Sequence, residues 1–168
     1  MNSNRELWKN LIAVEGIDGA GTTTLTRRLT EELLKQGIPV TSGFEPTDGP
    51  IGRLIRRGIS GEYSLSRKTL AMLFAADRRE HIYGPEGIEE TLNSGSLYIT
   101  DRYFFSSLAY QSMDAPWEWV NTLNAGYPLP GLLIYLHLPA SEAMQRISGR
   151  GTRDIYETEN QQNKVAQL

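Results

Sequence analysis

The 168-residue chain contains no cysteine, so it has no disulfide and no thiolate metal site, as suits a reducing compartment. It also lacks any excess of positive charge: 17 Lys and Arg stand against 20 Asp and Glu, a net charge of −3. A broad basic field of the kind that holds polymeric nucleic acid is therefore missing, and no such partner is expected. Long apolar runs are absent too, and the first ten residues carry Arg5, Glu6 and Lys9 instead of a signal-peptide core. Neither a membrane span nor a leader is expected, which leaves a soluble cytoplasmic protein. Histidine is scarce: His81 and His137 have no neighbours in sequence that make a triad or a metal set, and no role is expected for either. What remains, 39% hydrophobic residues without repeat, linker or low-complexity segment, supports one core and a single domain over 1–168.

Apolar runs alternate with helical patterns. Leu11 to Val14 is a short continuous run, read as a strand buried on both faces. From Thr22, the residues Leu25, Leu29, Leu33 and Leu34 recur at helical spacing until Gly37 stops them, with Pro39 just beyond. Val40 to Phe44 predicts a second strand, and Pro50 to Ile59 a short helix carrying Arg53, Arg56 and Arg57. Ser66 opens a long helix that Gly84-Pro85 breaks before Ile88 to Leu92 resumes it. Ser96 to Thr100 and Leu132 to Leu138 are further strands, Ala115 to Pro130 a helix and loop over the sheet, and another helix begins near Glu157. Such alternation implies right-handed crossovers, a central parallel sheet and helices on both faces, an α/β/α sandwich with its ligands at the carboxyl ends of the strands.

Between the first strand and its helix lies Gly16-Ile17-Asp18-Gly19-Ala20-Gly21-Thr22-Thr23-Thr24. Glycines let backbone N–H groups converge, and a helix N-terminus adds its positive end, so the turn can cradle phosphates. The spacing G-x-x-x-x-G-K-[ST] is kept except at its lysine, where Thr22 stands. A bare structural turn is the competing reading. Thr23 falls where such loops place a magnesium-ligating hydroxyl, and Asp101 ends a buried strand as a second, acidic element would.

Three further groups have both a plain and a chemical reading. Phe74 and Arg78 are four apart and share a helix face, either as a core ring beside a solvated arginine or as a ring for a nucleobase with a guanidinium for its carbonyl. Arg102 follows Asp101 and is either its ion-pair partner or a bidentate clamp on a monophosphate. The segment 146–154 alternates glycine with Arg146, Arg150 and Arg153, as a solvated loop or as a lid that closes over phosphates.

Taken together, Val14-Glu15-Gly16-Ile17-Asp18-Gly19-Ala20-Gly21, Leu73-Phe74-Ala75-Ala76-Asp77-Arg78, and Asp101-Arg102-Tyr103 through Ser106-Ser107-Leu108-Ala109-Tyr110-Gln111 resemble the thymidylate kinase family of P-loop nucleoside monophosphate kinases. The resemblance implies a P-loop NTPase-type fold and transfer of phosphate from ATP to dTMP with Mg2+, giving dTDP in dTTP biosynthesis. It implies that Gly16, Asp18 and Gly19 to Thr24 hold ATP, that Thr23 and Asp101 hold the metal, and that Asp18 contacts the dTMP sugar. Phe74 would stack on thymine, Arg78 bond the base, Arg102 hold the acceptor phosphate, and Ser107, Tyr110 and Gln111 line the nucleoside pocket. Glu45-Pro46 resembles a Glu-Pro segment of the family, which implies Glu45 at the substrate, with Phe44 where many bacterial members have arginine. Arg102, Arg150, Arg153 and Asp18 are the implied catalytic set, and a homodimer the implied assembly. Members continue past the point matching Leu168 into another strand and helix, so an open sheet edge is expected.

Thr22 removes a charge that, at about 4 Å from a phosphate oxygen with an effective dielectric near 20, is worth roughly 4 kcal/mol. A lid arginine is the expected substitute. Two other readings stay open at this point: a nucleotide-binding homologue with little or no activity, and a kinase for another pyrimidine monophosphate such as dUMP or UMP. No Asn-Lys-x-Asp segment occurs, which speaks against a GTPase.

Overall fold

A computed structural model describes residues 5–147 and 159–165 of the chain. Its centre is a four-stranded parallel sheet of order β2-β3-β1-β4, built from β1 (Leu7–Gly16), β2 (Val40–Phe44), β3 (Leu97–Asp101) and β4 (Leu129–Leu136). The chain leaves β1 past β3 to reach β2, and leaves β3 past β1 to reach β4. The switch in direction falls between β1 and β3, where their carboxyl ends open a crevice.

Alternation along β1 divides the core between the two faces. Val14, with Val40 and Ile99, packs on Leu25, Leu29 and Leu33 of α1 (Thr22–Lys35). Leu11 and Ala13, with Tyr98, pack on the opposite layer through Ile82 of α3 (Arg67–Tyr83), Ile88 of α4 (Ile88–Asn93) and Phe104 of α5 (Phe104–Tyr110). The helix α2 (Pro50–Ile59) starts with proline at its first position and lies against α3. Ser66 caps α3 by accepting from the Thr69 N–H at 3.1 Å, so the predicted start is the observed one. The rest is α6 (Trp117–Asn124), α7 (Ala140–Ile147) and α8 (Glu159–Val165).

Two strands differ from the sequence reading. β1 is longer, because Leu7 and Trp8 pair with Leu129 and Pro130 after a register shift that no local apolar run announces. β4 spans Leu129–Leu136 instead of Leu132 to Leu138; among the described residues it pairs with β1 alone, and Leu132, Leu133 and Tyr135 are 44–51% exposed at the expected open edge. A cavity of about 520 Å³ lies beside it, walled by Phe105, Leu108, Trp117, Leu133 and Tyr135. It runs along the flank of the sheet and reaches Glu15, Gly16, Ile17, Ser106 and Tyr110 at the start of the glycine loop.

Candidate active site

The glycine loop follows β1 directly. Gly19 and Gly21 have φ of +86° and +99°, a left-handed region that side chains disfavour. A Cβ at Gly19 would also come within 2.7 Å of the Ala143 carbonyl of α7. Gly21 starts α1 without a capping side chain, and the first turn holds no acid, so its positive end faces the crevice uncompensated. Thr22 is buried, with its methyl 3.2 Å from where a Gly16 Cβ would sit; it fills the hollow behind the loop. The loop therefore presents backbone donors with no lysine. Arg146 of α7 donates weakly to the Gly19 carbonyl at 3.4 Å, while Arg150 and Arg153 lie outside the described residues.

Thr23 and Asp101 meet across the crevice, Thr23 Oγ1 donating to Asp101 Oδ2 at 2.5 Å. Asp101 Oδ1 is buried without a hydrogen-bond partner. An orphaned carboxylate oxygen beside a hydroxyl is a hard-oxygen pair that fits a magnesium ion whose other ligands are water and phosphate. Among the described residues no group of three or more acids and histidines forms a complete cage.

Arg102 has φ of +70°, which costs a non-glycine residue about 1–3 kcal/mol. The strain is over-determined: its N–H donates to the Val14 carbonyl at 2.9 Å and its carbonyl accepts from Thr100 Oγ1 at 2.7 Å. This twist turns the side chain back over the loop. Its guanidinium donates to Gly16 O at 2.9 Å, Ser106 Oγ at 3.0 Å and Asp18 Oδ1 at 2.5 Å. Its partner is thus Asp18, not the adjacent Asp101. Burial disfavours the charge, but Tyr110, Asp18, Glu15 and Asp101 more than offset that and raise the pKa, so the cation is permanent. The second oxygen of Asp18 accepts from Tyr110 Oη at 3.0 Å and from Gln162 Nε2 of α8 at 2.8 Å.

Beneath Arg102 lies Glu15, 5% exposed, which accepts from the N–H groups of Tyr103 and Ser106 at 2.8 and 3.2 Å and from Ser106 Oγ at 2.6 Å. It fastens the start of α5 to β1. Burial pushes its pKa up, against Arg102 and these hydrogen bonds. A carboxyl whose folded pKa is raised costs no stability below its unfolded value and costs progressively more as pH rises toward the folded one. Glu15→Gln keeps the acceptor for both N–H groups without the charge. Its melting temperature relative to the parent is expected to climb from about pH 4.5 upward; a difference flat across pH 4–8 would contradict this.

The far end of the crevice is built on α3. Arg78 is 1% exposed and not a solvated residue. It pairs with Glu45 at 2.7 Å and donates to Ser107 Oγ at 3.1 Å and to Asn124 Oδ1. Phe74, one turn earlier, lines the same cleft, as do Asp18, Glu45, Arg102, Ser107, Tyr110 and Gln111. Gln111 is 4% exposed, and its Oε1 has no hydrogen-bond partner. All eight residues expected at the acceptor therefore converge on one cleft beside the loop. Sequence reasoning missed Glu15, Asn124, Gln162 and His81. Only Glu15 was within reach, since the alternation of Leu11 and Ala13 puts it on the buried face just before the loop.

Residues 14–168 match the family described as thymidylate kinase. The chain is 42% identical over 166 residues to a probable thymidylate kinase of Thermococcus onnurineus, covering 94% of this chain and 77% of that protein. It is 40% identical over 157 residues to a putative thymidylate kinase of Treponema pallidum, covering 93% and 75%. The solved thymidylate kinase structure from Candida albicans superposes with a TM-score of 0.78 at 27% identity, over 97% of this chain and 76% of that one. With its loop, its parallel sheet and its converged cleft, the chain belongs to the thymidylate kinase family.

Proposed function

We propose that this protein phosphorylates dTMP to dTDP with ATP as donor, a step that supplies dTTP synthesis. The observation that carries the reading is the convergence of Phe74, Arg78, Arg102, Ser107, Tyr110 and Gln111 on one cleft that adjoins the glycine loop. Thymine offers a flat face, an N3–H donor and carbonyl acceptors. Phe74 supplies the stacking ring, the unpartnered Gln111 Oε1 an acceptor, and Arg78 with Ser107 the donors. Cytosine inverts donor and acceptor on that edge and would leave buried polar groups unpaired. Deoxyribose sits toward Asp18 and Tyr110, and the acceptor phosphate meets Arg102.

Donor phosphates are held by the N–H groups of Gly19 to Thr24 and the positive end of α1. Thr23 and Asp101 hold magnesium, which when bound supplies charge neutralisation on the donor oxygens. Chemistry then needs alignment and charge more than covalent help. The acceptor phosphate is already an anion near neutral pH, so no side chain has to take its proton. Arg102 screens the repulsion between the two anions, and Arg146, Arg150 and Arg153 supply further positive charge to the phosphates. The enzyme acts in the cytoplasm as a homodimer, for which Leu54 of α2 and Met72 of α3 offer exposed apolar surface.

The test is ADP release with magnesium and ATP while dTMP, dUMP, UMP, dCMP and dGMP are offered in turn. dTMP is expected to give the highest kcat/KM, with dCMP lower by about a hundredfold or more because of its inverted edge. ADP release that ignores the acceptor, or nucleotide binding without any ADP, would refute the assignment.

A further inference from the structure

We propose that His81 is a positioning residue for base recognition: oriented by Tyr98, it holds Glu45 so that Glu45 holds the Arg78 guanidinium at the base edge of the cleft. The inference rests on the reading of Arg78 as a base contact.

Glu45 divides its oxygens between two partners. Oε2 accepts from Arg78 Nε at 2.8 Å and Nη2 at 2.7 Å, and Oε1 meets His81 Nδ1 at 3.2 Å. On the other side of the ring, His81 Nε2 lies 2.8 Å from Tyr98 Oη, which comes from β3. Burial, and secondarily the Glu45 charge, push the Tyr98 phenol up to about 12, so it keeps its hydrogen. A carboxylate oxygen only accepts, so Nδ1–H donates to Glu45 Oε1, while Nε2 and the Tyr98 phenol share the bond on the other side of the ring. At the centre of this chain the Arg78–Glu45 charge pair is buried, at 1% and 3% exposure.

A second observation concerns the strand next to Tyr98. A Cβ at Gly43 of β2 would overlap Tyr98 Oη and lie 2.8 Å from His81 Nε2. Only glycine leaves room for the Tyr98–His81 bond, so three elements are cut to fit it. The bond matters because a buried carboxylate oxygen without a donor recruits one. Without Nδ1–H, the nearest strong donor to Oε1 is the Arg78 guanidinium, which would turn toward Glu45 as a fork and away from Ser107 and the base.

Four variants test this by steady-state kinetics and melting: His81→Leu, His81→Asn, Tyr98→Phe and Arg78→Lys. In His81→Leu, KM for dTMP is expected to rise about tenfold, the size of one charge-linked hydrogen bond, with kcat and KM for ATP within about twofold. His81→Asn places an amide donor where Nδ1 stands and should recover most of the loss. Tyr98→Phe keeps the packing, releases the ring and should give an intermediate KM. A folded His81→Leu with parental KM for dTMP, a His81→Asn no better than His81→Leu, or a matching loss in ATP affinity overturns the proposal. If His81→Leu does not fold, Tyr98→Phe decides: a parental KM for dTMP overturns the proposal. Arg78→Lys separates the two layers. If it leaves KM for dTMP unchanged, the base-site reading itself is wrong; if it raises KM while the His81 variants do not, only the role of His81 falls.

Discussion

Arg102→Ala is expected to lower kcat by about a thousandfold or more while ATP binding stays within about twofold of the parent. The asymmetry follows from where the guanidinium sits. It comes from the carboxyl end of β3 and bonds Ser106 and the first residues of the loop, Gly16 O and Asp18, whereas the donor is held by the N–H groups from Gly19 onward. Removing it takes bonds from Gly16 and Asp18 but none from the N–H groups of Gly19 to Thr24 or from α1, and it leaves two anions to approach without a cation between them. Arg102→Lys keeps a charge without the planar fork and should lie between parent and alanine. Backbone strain separates fold from function here. At φ +70° glycine is favoured over alanine, so Arg102→Gly is expected to be about 1 kcal/mol more stable than Arg102→Ala yet equally slow. A glycine variant that regains activity, or an alanine variant that loses ATP and dTMP affinity together, would remove Arg102 from the transfer step.

The elements that sequence revealed are those whose signals are local. α1 is announced by four leucines at helical spacing and by Gly37, which takes φ of +76° just past its end. α2 and α3 begin where Pro50 and Ser66 say they should. The acceptor side was legible for the same reason: Phe74 and Arg78 share a face by spacing alone, and Asp101 and Arg102 fall at a strand end. What was hidden depends on residues distant in the chain. The first half of β1 exists because Leu7 and Trp8 find β4, 122 residues later in both pairings. Asn124 reaches Arg78 from α6 and Gln162 reaches Asp18 from α8, at separations of 46 and 144 residues. His81 was set aside because its two partners, Glu45 and Tyr98, lie 36 and 17 residues away. The apolar run of β4 announces a strand but not its place, which among the described residues has one strand neighbour and an exposed far side.

Thr22→Lys is expected to act in the opposite direction to Arg102→Ala and on the other substrate. The loop keeps its glycines and its helix dipole but carries no side-chain cation at the phosphates. Among the described residues Arg146, the first of the proposed lid arginines, already touches it, 3.4 Å from the Gly19 carbonyl. A lysine here restores the cation that loops of this spacing carry for the outer donor phosphates. A charge about 4 Å from a phosphate oxygen at an effective dielectric near 20 contributes roughly 4 kcal/mol, so kcat/KM for ATP should rise by up to about a thousandfold. KM for dTMP should stay within about twofold, because the acceptor lies across the crevice. The gain has a structural cost: the Thr22 methyl that fills the hollow at Gly16 is lost, about 1 kcal/mol, and melting should fall by a few degrees. Combining the change with Arg146→Ala identifies what now does the lysine's work. If Arg146 substitutes for it, Arg146→Ala should slow the parent strongly and the Thr22→Lys protein weakly, a coupling that a double-mutant cycle reads directly. An unchanged kcat/KM in a folded Thr22→Lys protein would mean that the donor charge is already neutralised, and the loop would have no deficit to repair.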